Sequence, residues 1–167
     1  MSYYDRNRIT HLDGTMIFQN DTDRSNEQEV ALLLSEAWKC SVRSFGALSP
    51  IDWYAERHGR LVGLLELKAR PHASTRFNTV FLNVRKWLAL SLAQVGLGCP
   101  AIFVVRFSDG IFFCPLALID GRMNEIAGCN HLVKSGNDIE PVIKVDISVM
   151  KPLVVEPIDI IFDEPTP

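Results

Sequence analysis

The stretch from Arg60 to Ala69, RLVGLLELKA, constrains this chain more than any other. It is apolar, short for a helix, preceded by a His58-Gly59 turn and stopped by Pro71, so it reads as a strand running through an interior. Glu66 and Lys68 interrupt it, two residues apart. In a strand such residues share a face, so Glu66 and Lys68 point one way while Leu65, Leu67 and Ala69 point the other. Charges placed inside an apolar strand cost several kcal/mol of desolvation unless something compensates them. A metal ion with its bound water is one such compensation. The fold has to bury this strand and still bring charge to one face of it.

The surrounding pattern supplies the other elements. Ser25 and Gln28 fit a capping box, and Val30, Leu33, Leu34, Ala37 and Trp38 recur at helical spacing, which predicts a helix from Ser25 to about Cys40–Arg43. Residues 47 to 57 predict a strand beginning after Pro50, paired through the turn with residues 60 to 69. A second helix is expected over about 78 to 95, with Val80, Phe81, Val84, Trp87, Leu88, Ser91 and Leu92 on one face and Gly96 and Gly98 at its end. Two apolar strands, PAIFVVRF and IFFCPLALI, flank a Ser108-Asp109-Gly110 turn. A long loop follows from Asp120 to Asn137, then an alternating strand over 139 to 147 and an acidic, proline-rich tail. Ahead of the first helix, Asp13-Gly14 can turn a small hairpin. The order helix, strand pair, helix, strand pair predicts an α/β domain with a mixed central sheet. The chain divides into a peripheral N-terminal extension (1–24), a core (25–120), and a loop, added strand and tail (121–167).

Composition narrows the function classes. At 167 residues, 47% of them hydrophobic and 22% charged, the chain suits one globular domain with a real core. No apolar run is long enough to span a bilayer, and the first residues lack the apolar stretch of a secretory signal, so a cytoplasmic protein, of a cell or of an infected host, is expected. Cys40, Cys99, Cys114 and Cys129 are widely spaced, with no CxxC pair for a zinc ribbon, and are expected to be free thiols. The net charge of -3 argues against a general nucleic-acid coat protein. The distribution is uneven, however. Between Arg57 and Lys86 there are seven Lys or Arg against the single acid Glu66, a segregation that can focus a positive field on one face.

Asp52 precedes Glu66 across the hairpin, and strand pairing brings the two carboxylates together. A pair of carboxylates on adjacent strands makes a hard, oxygen-rich site suited to Mg2+ or Mn2+. Such an ion activates water and stabilises charge on a phosphate, and a nearby ammonium orients the water or neutralises developing charge. At these residues the sequence resembles the PD-(D/E)XK nuclease superfamily. Pro50-Ile51-Asp52 matches the first half of the motif and Glu66-Leu67-Lys68 the second, with thirteen residues between the two acids. The resemblance spans about residues 25 to 118 and implies a restriction-endonuclease-like core. It further implies that Asp52 and Glu66 hold the metal with help from the Leu67 carbonyl, and that Lys68 sits beside the nucleophilic water. A first-helix glutamate often supports the metal in this superfamily; Glu29 is the choice here, with Glu27 and Glu36 as competitors. Within the superfamily the order of elements is similar to Holliday junction resolvases of archaeal type, which act as homodimers, and to bacteriophage nucleases.

Other residues take lesser parts. Arg70, His72 and Arg76 follow the catalytic strand in a loop, where they can contact phosphates. Arg85 and Lys86 lie on the second helix, and one of them can reach the metal site. The expected activity is hydrolysis of DNA phosphodiester bonds by a metal-dependent endonuclease, with junctions as the structure-selective form of its substrate and with nucleic acid and a second copy of the chain as partners. The competing reading is a noncatalytic nucleic-acid- or protein-binding module on the same fold.

Overall fold

The computed structural model describes residues 9–10, 16–17, 21–46, 49–127 and 140–154, with side chains from Asn26 onward. In chain order the elements are β1 (Ile9–Thr10), β2 (Met16–Ile17), α1 (Asp21–Trp38), β3 (Ser41–Ser44), β4 (Trp53–Arg57), β5 (Arg60–Ala69), β6 (Thr79–Asn83), α2 (Val84–Leu97), β7 (Ala101–Phe107), β8 (Gly110–Pro115), β9 (Asn124–Ala127), β10 (Glu140–Asp146) and β11 (Lys151–Pro152). The central sheet runs β11-β8-β7-β5-β4-β3. Its middle pair, β5 and β7, is parallel, and its other neighbours are antiparallel, so the sheet is mixed as expected. The parallel pair follows from the crossover: β5 and β7 are joined by α2, which returns the chain to the same end of the sheet.

Alternation along β5 sets two apolar layers. Leu65 and Leu67 face α1, packing with Val30, Ala31, Leu34, Trp53, Ala55 and Val104. Leu64 faces the other way, toward α2 and a smaller sheet, in a cluster with Val80, Leu82, Leu90, Phe103, Val105, Ile143 and Val145. That smaller sheet has the order β6-β10-β9. The layers are therefore α1, the central sheet, and α2 with the small sheet. The strand expected over 139 to 147 is β10, and its Val142, Ile143 and Val145 are buried in the α2-side core.

Several expectations are corrected. The helix α1 starts at Asp21, so Ser25 and Gln28 lie inside it and not at its start. Residues 79 to 83, read as helix, are the strand β6, which pairs with β10 from Asn83↔Val142 to Thr79↔Asp146. The buried face of α2 is consequently turned. Leu90 is fully buried and Val84, Trp87, Ala89 and Ala93 pack beside it, whereas Leu88 and Leu92 are 54% and 76% exposed. The short polar strand β3 was not expected, and β9 falls within the stretch read as loop. The strand read from IFFCPLALI ends at Pro115, after which Leu116–Leu118 form a 3-10 turn.

The turns behave as their residues dictate. His58 and Gly59 both have positive φ, 52° and 74°, the conformation of a tight two-residue hairpin. Gly98 ends α2 in the left-handed conformation, its N–H donating to the Gln94 carbonyl. β1 and β2 pair antiparallel, while the Asp13-Gly14 turn lies outside the described residues. So do Cys129, His131 and the acidic tail. Cys40, Cys99 and Cys114 are free. Neither helix is long and apolar enough to cross a membrane.

Candidate active site

Strand pairing brings the predicted acids together. β4 and β5 pair with Trp53 opposite Leu65 and Tyr54 opposite Leu64. Trp53 and Leu65 belong to the α1-side core, while Leu64 and Tyr54 pack on the α2 side. Asp52, one step before Trp53, thus shares the α2-side face with Glu66 and Lys68.

Glu66 is 7% exposed, a rare burial for a carboxylate. Burial, the Asp52 charge and a hydrogen bond with Asp52 push its pKa up to about 8, against the smaller opposing pull of Lys86 and Lys68. Its Oε2 has no hydrogen-bond partner. Lys86 Nζ lies 3.4 Å from that oxygen, close enough to attract it but not aligned to donate. The same ammonium makes an ion pair with Asp52 Oδ1. Lys86 sits in the first turn of α2, where a cation opposes the helix dipole. The turn contains no acidic residue of its own to offset it. The carboxylates of Asp52, just ahead of β4, and Glu66, on β5, supply the offset.

Lys68 points into the same space. Burial, reinforced by Arg70, pulls its pKa down to about 8, while Glu66 and Glu140 work in the opposite direction. Its Nζ donates to Asn83 Oδ1 at 3.1 Å. Asn83 is the N-cap residue of α2 but makes no side-chain cap. Its side chain instead accepts from Lys68 and donates through Nδ2 to Glu140 Oε1. The acidic start of β10 thereby holds the lysine of β5 through an asparagine. Asn83 and Glu140 were not among the predicted site residues.

The structure thus gathers Asp52, Glu66, Lys68 and Lys86. The Leu67 side chain is buried on the α1 side, away from this group. Glu29 is set apart from this group: its Oε2 accepts from Arg106 Nη1 at 2.6 Å. Arg106 alternates with Val104 and so lies on the α1 side of the sheet. Glu36 is exposed.

The expected basic face is also divided. Arg57 donates to the Trp38 and Lys39 carbonyls at the end of α1, and Arg60 is exposed beside the hairpin turn. Arg70, His72 and Arg76 lie beyond the other end of β5, a ten-residue strand away. Arg85 is exposed on α2. Arg70 lies close enough to Lys68 to help lower its pKa, so this end of the run adjoins the two lysines, while Arg57 and Arg60 lie at the other end of β5.

The donor set fits a hard divalent ion. A buried, unpartnered carboxylate oxygen beside a second carboxylate, with an ammonium drawn between them, marks a place where positive charge is favoured. Among the described residues no group of three or more His, Cys, Asp or Glu side chains gathers as a metal cluster. Two carboxylates leave most coordination positions to water, which suits magnesium.

The family model described as "Phage putative PDDEXK endonuclease" matches residues 16–153. No curated protein matches the chain. Among solved structures, Hjc of Archaeoglobus fulgidus, a Holliday junction resolvase, matches at 16% sequence identity and a TM-score of 0.49, over 75% of this chain and 89% of that one. The family match takes in every element from β2 to β11, with Asp52, Glu66 and Lys68 inside it, and the resemblance read from those residues holds: the chain belongs to the phage PD-(D/E)XK endonuclease family.

Proposed function

We propose that this protein is a metal-dependent endonuclease that hydrolyses DNA phosphodiester bonds at the site formed by Asp52, Glu66, Lys68 and Lys86. The observation that carries the proposal is Glu66: a buried carboxylate with an unpartnered oxygen beside Asp52, flanked by two lysines. A structural strand has no use for that arrangement, and a noncatalytic module has no reason to keep it.

Asp52 and Glu66 would hold the ion, Mg2+ or Mn2+, with the Leu67 carbonyl between Glu66 and Lys68 as a further ligand. A divalent ion held there would supply an acidified water and charge for the phosphate. Lys68, whose pKa lies near 8, is suited to holding or passing a proton at the attacking water. Asn83 and Glu140 fix its direction. Lys86 neutralises the carboxylates at rest and turns to the phosphate when the substrate is bound. Arg70, His72, Arg76 and Arg85 are assigned to phosphate contacts outside the centre. Glu29 has no metal role in this proposal; its pair with Arg106 ties α1 to β7.

The finer form of the proposal is a homodimer that cuts branched DNA, as the sequence likeness to junction resolvases implies. The interface is expected to use a sheet edge or the C-terminal segment; β11 of the same chain covers β8, and β3 is the edge at the far side of the central sheet. The exposed Leu88, Leu92 and Val95 on α2 form an apolar stripe that can meet its own copy about a two-fold axis. A mass near 19 kDa across micromolar concentrations would remove the dimer.

A cleavage panel tests the activity, using linear duplex, single strand, flap and four-way junction beside Glu66→Ala. Cutting is expected with magnesium or manganese and to be abolished by chelator and by Glu66→Ala. Calcium is expected to support binding with little cutting. Full activity in excess chelator overturns the mechanism.

A further inference from the structure

The loop between β5 and β6 carries an aromatic side chain that the chemistry above leaves unused. Phe77 is 52% exposed, with the Arg76 guanidinium carbon 5.3 Å from its ring centroid. The loop holding it is fastened at several points. Ser74, itself buried, donates to Asp109 through both its N–H (2.8 Å) and its hydroxyl (2.7 Å). The Ser108 N–H donates to the His72 carbonyl at 3.0 Å. The His72 ring meets Phe77 edge-on at 5.0 Å and Phe107 at 5.7 Å. An exposed phenylalanine on a mobile loop would be unremarkable. Here a turn, a carboxylate and two rings are arranged to hold one in place.

Its position follows from the sheet register. Lys68 pairs with Val105 across the parallel β5 and β7, and Phe107 lies two residues further on, in the same α2-side cluster as Val105. The ring series Phe107, His72, Phe77 therefore rises from the face that carries Glu66 and Lys68, one strand repeat (about 7 Å) past Lys68. A nucleotide held at the metal site has its neighbours within reach of that series.

We infer that Phe77 is a stacking platform for a DNA base left unstacked where the duplex is interrupted, beside the phosphate cut at Glu66 and Lys68. This rests on the nuclease reading above and names its substrate class: duplex broken by a gap, a flap or a branch. In continuous duplex each base is covered by its neighbours and offers no face to a side chain, whereas an unstacked base gains from an aromatic partner. Arg76 is exposed, so a base can displace it from the ring, and its charge then serves the adjoining phosphate. Asp109 and His72 act as positioning residues, since they hold the loop and not the base.

The test uses the full chain with calcium in place of magnesium, so that binding is read without cutting. Probes are duplexes carrying 2-aminopurine either in a one-nucleotide gap or fully paired. Wild type and Phe77→Trp are expected to bind the gapped probe about tenfold tighter than the paired one and to quench its fluorescence. Phe77→Ala, checked by thermal unfolding to be folded, is expected to lose both preference and quenching. Retained preference in folded Phe77→Ala, or its absence in wild type, overturns the platform. Magnesium is then added to the same samples. Binding with Phe77-dependent quenching but no cutting overturns the nuclease reading and leaves the platform standing. Cutting without such quenching does the reverse.

Discussion

The two faces of β5 are made of consecutive residues, yet they answer to different demands. On the α1 side, Leu65 and Leu67 meet Val30, Ala31 and Leu34, and the one ion pair described there, Glu29 with Arg106, is at the exposed rim. On the α2 side, Glu66 is buried, Lys68 is half-buried, and the two depend on groups from three other elements: Asp52 ahead of β4, Asn83 and Lys86 around the start of α2, and Glu140 on β10. The first face follows the rules of packing. The second breaks them, putting a carboxylate and an ammonium where apolar groups would be more stable. Such local disagreement with otherwise consistent design is expected at a functional or strained site. One strand thus separates stability from chemistry by alternation alone.

That contrast can be broken by exchanging the two kinds of residue. The largest expected effect is a paired one: Leu65→Ala should lose about 2–5 kcal/mol of stability in urea unfolding, while Glu66→Gln should unfold no earlier than wild type and yet cleave no DNA. If Glu66→Gln proves as unstable as Leu65→Ala, the α2-side face is structural after all. Next, Lys68→Ala should slow cutting by about 10²-fold in single-turnover assays while DNA affinity is mostly kept, as loss of one charge-stabilising group typically does. Equal rates for mutant and wild type would reduce Lys68 to packing. A smaller change, about tenfold in kcat with KM little altered, is expected for Asn83→Ala, because it loosens Lys68 without removing it. The smallest is Glu29→Gln: no more than about 1 kcal/mol of stability, since the pair is exposed, and no change in metal dependence. Loss of metal-dependent cutting in that variant would return Glu29 to the active site.

How much of this was legible in the sequence depends on the distance over which each feature is decided. β5 could be read because its apolar run, its turn and its two charges lie within a dozen residues. Asp52 could be read because a hairpin joins it to Glu66. The strand β6 could not, since TVFLN runs without a break into the leucines and valines of α2, and only pairing with β10 makes it a strand. The same error turned the helix and placed Leu88 and Leu92 inside. Asn83 and Glu140 carry no motif and stand 57 residues apart; their meeting depends on register between strands. Lys86 was one of two basic candidates on its helix, and the helix's true start decides which one faces inward. Glu29 shows the opposite limit: a helical pattern says that a residue points out or in, but not on which side of a sheet its helix will lie.

Lys86 also bears on how the protein lives without its ion. Many small metalloproteins cannot finish folding until a metal cancels the repulsion among their ligands. This chain carries its own counter-ion on a helix, seated between Asp52 and the unpartnered oxygen of Glu66. On the proposed metal-dependent reading, folding and metal loading would be uncoupled: a chelator is expected to abolish cutting without lowering the unfolding temperature. Under the proposed function, a divalent ion held by Asp52 and Glu66 would take the place of a tethered ammonium, and that ammonium would then be free to oppose the charge of a phosphate.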